Sequence, residues 1–152
     1  MSETPEPTLA VLSSEECHKL LGTRQFGRLG VIAEHYPLIF PVNYAMDNGT
    51  VVIRSRRGLK LDSAQHANVT FQVDDIDETS HSGWSVLIRG QAEELTDDHS
   101  PQIVDRTHAT GLQPWAPGAE FRWVRIITHG ISGRRIQPCQ SPDWALGTAA
   151  YM

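Results

Sequence analysis

Apolar and polar positions along the chain switch between two periods, and the switches mark the elements. Between Ser13 and Leu21 the apolar residues Cys17, Leu20 and Leu21 share one face at helical spacing. Ser13 stands three residues before Glu16 as a capping box, Leu12 precedes it as a staple, and Gly22 marks the stop. From Gly27 onward the pattern is extended. Residues 28–32 are short and β-branched, 34–37 make a turn, and 38–46 follow as a second strand in which Pro41 predicts an edge or a bulge. Asp47-Asn48-Gly49-Thr50 is a hairpin turn, because Asn and Gly accept positive φ at little cost, and 51–53 return as a third strand. Three strands joined by tight turns predict an antiparallel meander.

Beyond a basic stretch at 54–60 the pattern predicts a short helix over 59–66 and a half-buried strand over 69–74. An acidic loop at 75–83 leads into a long strand over 84–95, where Gly90 suggests a bulge. Residues 96–110 read as a helix capped by Thr96 or Asp97, and 111–118, with Pro114, Trp115 and Pro117, as a loop. Alternation resumes over 120–127, and 131–136 form a last short strand. Residues 1–10 read as a disordered tail, 11–137 as the folded domain and 138–152 as a second tail. Six antiparallel strands with few helices predict a mainly β fold, a small closed barrel with peripheral helices, because closure removes exposed edges. A two-layer α+β sandwich is the nearest competitor.

Composition narrows the function classes. A chain of 152 residues with 39% hydrophobic residues is one globular domain. Its formal charge of -5 argues against duplex nucleic acid or an anionic membrane as partner, and it has no apolar run long enough to cross a bilayer as a helix. The acidic, Pro-containing start is not a secretory signal, and the distant Cys17 and Cys139 fit a reducing compartment, so a cytoplasmic location is expected.

Against that acidic background, Arg54, Arg56, Arg57 and Lys60 place four of the thirteen basic residues within seven positions. Ser55 adds a hydroxyl, Gly58 lets the backbone bend, and a helix is predicted just after. Converging guanidinium groups, amides and a helix start are what a phosphate monoester needs; a solvated basic turn has an equal claim on composition alone. Asn43, beside Pro41 and Val42, could aim an amide at a flat heterocycle or simply satisfy local backbone. Trp84 with Ser85 reads as an aromatic and a hydroxyl at a strand start, and Arg122 and Trp123 as opposite faces of a strand. The seven histidines are scattered without metal-ligand spacing, so no metal site is expected, and no nucleophile turn is present. Cys17 reads as a small apolar helix residue, and no catalytic residue stands out; Tyr44, His66 and His81 are positional candidates only.

Taken in order, Leu12-Ser13-x-x-Glu16, Gly27-Arg28-Leu29-Gly30, Pro41-Val42-Asn43-Tyr44, the 54–60 stretch, Gly83-Trp84-Ser85-Val86 and Gly90-Gln91-Ala92-Glu93 resemble the pyridoxamine 5′-phosphate oxidase-like flavin-binding proteins. The likeness is to their short bacterial branch, which includes nitroimidazole-resistance-type proteins. It implies a six-stranded antiparallel split barrel, a homodimer with FMN at the subunit interface, and hydride transfer to or from a small molecule. It further implies that Arg54, Ser55, Lys60 and Arg56 or Arg57 hold the FMN phosphate, that Pro41, Val42 and Asn43 flank the isoalloxazine, and that Trp84, Ser85 and Trp123 lie near it. Ser85 departs from the Gln that the family often has there. No C-terminal segment matches that of the vitamin B6 oxidases. A non-catalytic flavin-sensing module and a deazaflavin-dependent reductase are the alternatives.

Overall fold

The computed structural model describes residues 6–56 and 67–138. The predicted helix over 59–66, Arg57, Lys60 and His66 among the candidate residues, and the second tail from 139 onward lie outside them.

Seven strands and two helices run in the order β1 (Thr8–Val11), α1 (Ser14–Leu21), β2 (Phe26–Ala33), β3 (Tyr36–Asp47), β4 (Thr50–Arg56), β5 (Ala67–Asp77), β6 (Ser82–Glu94), α2 (Pro101–Ala109) and β7 (Phe121–Gln137). The antiparallel sheet has the order β1-β7-β4-β3-β2-β5-β6, and a further β6–β7 pairing closes β2 to β7 into a six-stranded ring. β2, β3 and β4 form the expected meander. Alternation puts one face of every strand inside: Leu29, Val51, Ile53, Phe71, Val73, Val86, Ile88, Val124 and Ile126 are each 1% exposed or less. Each such side chain contributes about 1.5–3 kcal/mol on burial. Tyr44 meets Phe71 edge-on at 5.1 Å and donates its hydroxyl to the Leu21 carbonyl at 2.6 Å, tying α1 to the barrel.

Most local expectations hold. The Ser13 hydroxyl accepts from the Glu16 amide at 3.2 Å. Cys17 is a fully buried core residue whose thiol is pushed up by burial and by Glu16, against a smaller opposing pull from Arg134. Asn48 and Gly49 both take positive φ, the type I′ geometry that matches strand twist. Gly90 does mark a bulge: Arg89 pairs with Gly130 but Gly90 with Thr128, leaving His129 as the extra residue. Pro41 lies where β3 pairs with β2 alone, since the β3–β4 ladder spans only 44–47. The missing amide therefore costs no ladder bond.

Five expectations need correction. Thr8–Val11 is no tail: it pairs with Val11↔Arg134 through Thr8↔Gln137 on β7. The turn after β2 is only two residues, Glu34 and His35, both at positive φ, which these residue types do not advertise. The acidic loop is largely strand, because β5 extends to Asp77 and the turn is drawn tight by the Asp77 carboxylate accepting from the Thr79 and Ser80 amides. The second helix starts not at Thr96 or Asp97 but after Ser100, which caps the Ile103 amide at 3.3 Å with Pro101 in the first turn. The two last strands are one, 17 residues long, paired with β4 through its first part and with β1 and β6 further on.

Candidate functional site

The basic stretch begins inside a strand. β4 runs on to Arg56, paired with β7 as Arg54↔Trp123, Ser55↔Arg122 and Arg56↔Phe121. Strand alternation then separates the three: Arg54 and Arg56 share the outer face, while Ser55, 6% exposed, faces inward with its hydroxyl donating to the Arg56 carbonyl at 3.1 Å. Each outer arginine lies on the aromatic ring directly opposite it. The Arg54 guanidinium sits 4.6 Å from the Trp123 ring centre and that of Arg56 5.4 Å from Phe121. His108 of α2 packs against Trp123 at 5.3 Å. Gly118 closes over Arg56, and a Cβ there would come within 2.5 Å of the guanidinium.

Arg54 is positioned but not fully satisfied. Arg54 reaches the carbonyls of Leu112 and Phe121 only at 3.5 Å each, and its buried Nε has no partner among the described residues. A buried unpaired donor on a cation is costly unless an anion meets it. The neighbouring Arg125 shows the contrast. It is 4% exposed and donates to the Asp47 carboxylate at 2.8 Å and to Thr107 Oγ1 at 2.7 Å, while Arg106 binds the same carboxylate from α2 at 3.3 Å. Burial alone would raise the Asp47 carboxyl, but hydrogen bonds and charge from Arg125 and Arg106 hold it below its ordinary value. The buried Arg125 thus has a built-in anion, and the half-buried Arg54, two residues along the adjacent strand's register, has none among the described residues.

The β3 residues lie beside this cluster. The Asn43 amide donates to the Gln113 carbonyl at 2.7 Å and its oxygen accepts from the Trp115 amide at 3.2 Å. It clamps the segment whose Leu112 carbonyl covers Arg54. A cavity of about 480 Å³ opens on the other side of that segment, lined by Leu21, Arg24, Asn43, Tyr44, Leu112 and Trp115 among others. Within it, burial pushes the Tyr44 phenol up to about 12, with Arg24 pulling the other way. Pro41 and Val42 precede Asn43 on the same strand. Trp84, by contrast, is a core residue at 8% exposure and pairs with Arg135, as Ser85 does with Arg134. On β7 those partners are twelve and eleven residues from Trp123, roughly 40 Å of strand. Arg54, Arg56, Trp123 and Asn43 come together, and Trp84 and Ser85 do not join them.

Sequence reasoning missed Phe121 and His108, whose roles come from register and helix docking, and Trp115, which it assigned to a loop without a task. The signal for Trp115 was available: a large aromatic between Pro114 and Pro117 in a loop has no core to enter.

Comparison with known proteins fits this arrangement. The profile of the pyridoxamine 5′-phosphate oxidase family matches residues 13–135. The chain belongs to this family. An FAD-binding protein of Mycobacterium smegmatis has a similar structure, with TM-score 0.69 and 35% identity over 83% of this chain and 98% of that one. An FAD-binding protein of Mesorhizobium loti gives TM-score 0.68 and 25% identity over 87% and 99%. An uncharacterized protein of Mycobacterium tuberculosis is 31% identical over 131 residues, 82% of this chain and 84% of its own length. The solved neighbours are flavin-binding split barrels, and the six-stranded ring, with β1 paired at the edge of β7, is that barrel.

Proposed function

We propose that this protein is a flavoprotein that acts on a small molecule by hydride transfer, with FMN as its cofactor. The buried Nε of Arg54, unpartnered among the described residues, carries the reading. Arg54 and Arg56, each backed by an aromatic ring, present two guanidinium groups on one face, and a phosphate can accept from both. Relatives described as FAD-binding support a flavin. The riboflavin phosphate that the arginines would hold is common to FMN and FAD. Arg57 and Lys60 continue the same basic stretch and would add to the cradle.

A bound flavin supplies two-electron redox chemistry, and the protein supplies binding, orientation and electrostatics. Arg54 and Arg56 fix the phosphate end and neutralise its charge. Asn43 holds the 111–115 segment in place, and Pro41 and Val42 offer a strand edge without a β4 partner beside which a flat ring can lie.

A second copy of the chain completes the assembly in this reading. Ile32, Tyr36 and Ile39 on the β2–β3 hairpin are each at least 70% exposed, next to a largely apolar groove of about 540 Å³ lined by Val31, Leu38, Val69 and His129. An apolar face of that kind on a strand edge is characteristic of a surface that another protein covers. No described helix is long and apolar enough to cross a membrane. The buried, free Cys17 suits the reducing cytoplasm, which we take as its location.

The test is an absorbance spectrum of the purified protein with FMN titration, followed by rapid mixing with NADH or NADPH. A flavin spectrum, saturable FMN binding and bleaching by a nicotinamide donor are expected. Colourless protein that leaves FMN fluorescence unchanged overturns the reading.

A further inference from the structure

The cavity of about 480 Å³ beyond the Asn43 clamp is not needed for the phosphate contact, yet it is built with a definite chemistry. Its mouth carries Trp115, 61% exposed although it is the largest side-chain type. The backbone amide of Trp115 is bound to Asn43 Oδ1, so the residue does not ride on a free loop. Its ring lies nearly parallel to that of Phe26, at 5° and 6.3 Å between centres, and the Arg28 guanidinium stands 5.9 Å from the Phe26 ring centre. Arg28 itself is anchored by Gln72 and Asp74, both at 3.2 Å. The result is an aromatic plate held in place and largely exposed.

Polar groups surround that plate. The side-chain amides of Gln25 and Gln113 line the cavity and bond to no described residue. Among the described residues Arg24 is held by a 3.5 Å ion pair to Asp75 with both partners about half exposed, a pair that a ligand anion can replace at little cost. An exposed indole, two free carboxamides and an exchangeable guanidinium match a planar nitrogen heterocycle that carries an anionic group. A base stacks on the ring, a carboxamide reads its edge and the cation meets its phosphate.

We infer that this cavity binds the adenosine monophosphate end of a dinucleotide, with the base on Trp115 and its phosphate toward Arg24. The inference rests on the flavin reading for its purpose, since two dinucleotides of that setting share this moiety: the adenylated flavin, and a nicotinamide dinucleotide that delivers hydride. Pocket volume agrees, because ligand sites commonly span roughly 300–1,000 Å³.

The experiment titrates the full-length protein with AMP, FMN and FAD, and measures steady-state rates against NADH and NADPH, for the wild type, Trp115→Ala and Trp115→Phe. AMP should bind the wild type. Trp115→Ala should weaken it about tenfold, the usual scale for loss of one stacking ring, and Trp115→Phe should restore most of it. FMN affinity should stay within twofold in both variants. If FAD weakens in parallel with AMP, the moiety belongs to the flavin. If FAD holds and KM for the nicotinamide nucleotide rises with kcat unchanged, it belongs to the donor. Failure of AMP to bind, AMP binding indifferent to Trp115, or an equal loss of FMN and FAD in Trp115→Ala overturns the assignment. So does a variant that changes only from dimer to monomer. Protein that binds AMP at Trp115 but no flavin sinks the flavin reading and leaves this one standing.

Discussion

Arg54 and Arg125 lie on adjacent strands of the same outer surface, one half-buried and one fully buried, and they differ in whether a carboxylate meets them. Removing the Arg54 guanidinium deletes a donor group waiting for an anion. Arg54→Ala should weaken FMN by about 1.5–3 kcal/mol, the range for a hydrogen bond to a charged group, and should leave riboflavin, which lacks the phosphate, unaffected. Fluorescence titration with both compounds checks this, and an equal loss for both would place the phosphate elsewhere. Arg125 already has its anion, so its partner matters for folding. Asp47→Asn leaves a 4% exposed guanidinium without a counter-charge and should cost about 3 kcal/mol at neutral pH. The pH dependence has a definite sign. The Asp47 carboxyl titrates below its ordinary 3.8 in the folded protein, so its contribution is complete above that value and is lost as pH falls through the folded one. Denaturation curves of wild type and variant should therefore differ most near neutrality and converge below pH 3.8.

At the level of elements, sequence was most informative where a residue's role is local. Ser13, Asn48-Gly49 and Gly90 act on their own neighbours, and the helix start, hairpin and bulge stand where those residues predict them. Gly90 also shows what the bulge demands: a Cβ there would collide with the Ile127 carbonyl on β7. Because the obstacle is backbone, it cannot swing aside as a side chain does. Gly90→Ala should cost about 3 kcal/mol, the upper end for overpacking, read as a lower denaturation midpoint. Where elements depend on distant partners, local reading failed. Thr8–Val11 becomes strand only because β7 offers an edge from 134 to 137, and β7 is one strand because β6 and β4 pair with it along its length. The Glu34–His35 turn was invisible for a different reason: two non-glycine residues adopt positive φ under the constraint of an eight-pair ladder.

For the whole molecule, the apolar hairpin face is the largest feature that a single chain leaves unexplained. If a second copy covers it, Ile39→Glu places a charge at a position 71% exposed in the monomer and buried in the dimer. The wild type should sediment as a dimer and the variant as a monomer of unchanged fold. A wild type that stays monomeric at micromolar concentration would remove the dimer from the proposal. The site geometry bears on the same question, since the β7 partners of Trp84 and Ser85 stand twelve and eleven residues from Trp123, so in the proposed dimer these two would approach a flavin at Arg54 from the other copy.

Hydrophobic period and turn residues were enough, from the chain alone, to point to an antiparallel, mainly β fold and to mark the basic stretch at the end of the third strand, because each depends on spacing of a few residues. Which arginine meets a carboxylate among the described residues was decided by folding: Asp47 and Arg125 are 78 positions apart and meet only through the β3–β4–β7 register. The aromatic backing of Arg54 and Arg56 arose the same way, from cross-strand pairing that no local pattern encodes. Folding likewise turned Asn43 into the clamp for Trp115, since an amide's partners are chosen by whatever backbone the rest of the molecule brings within 3 Å or so.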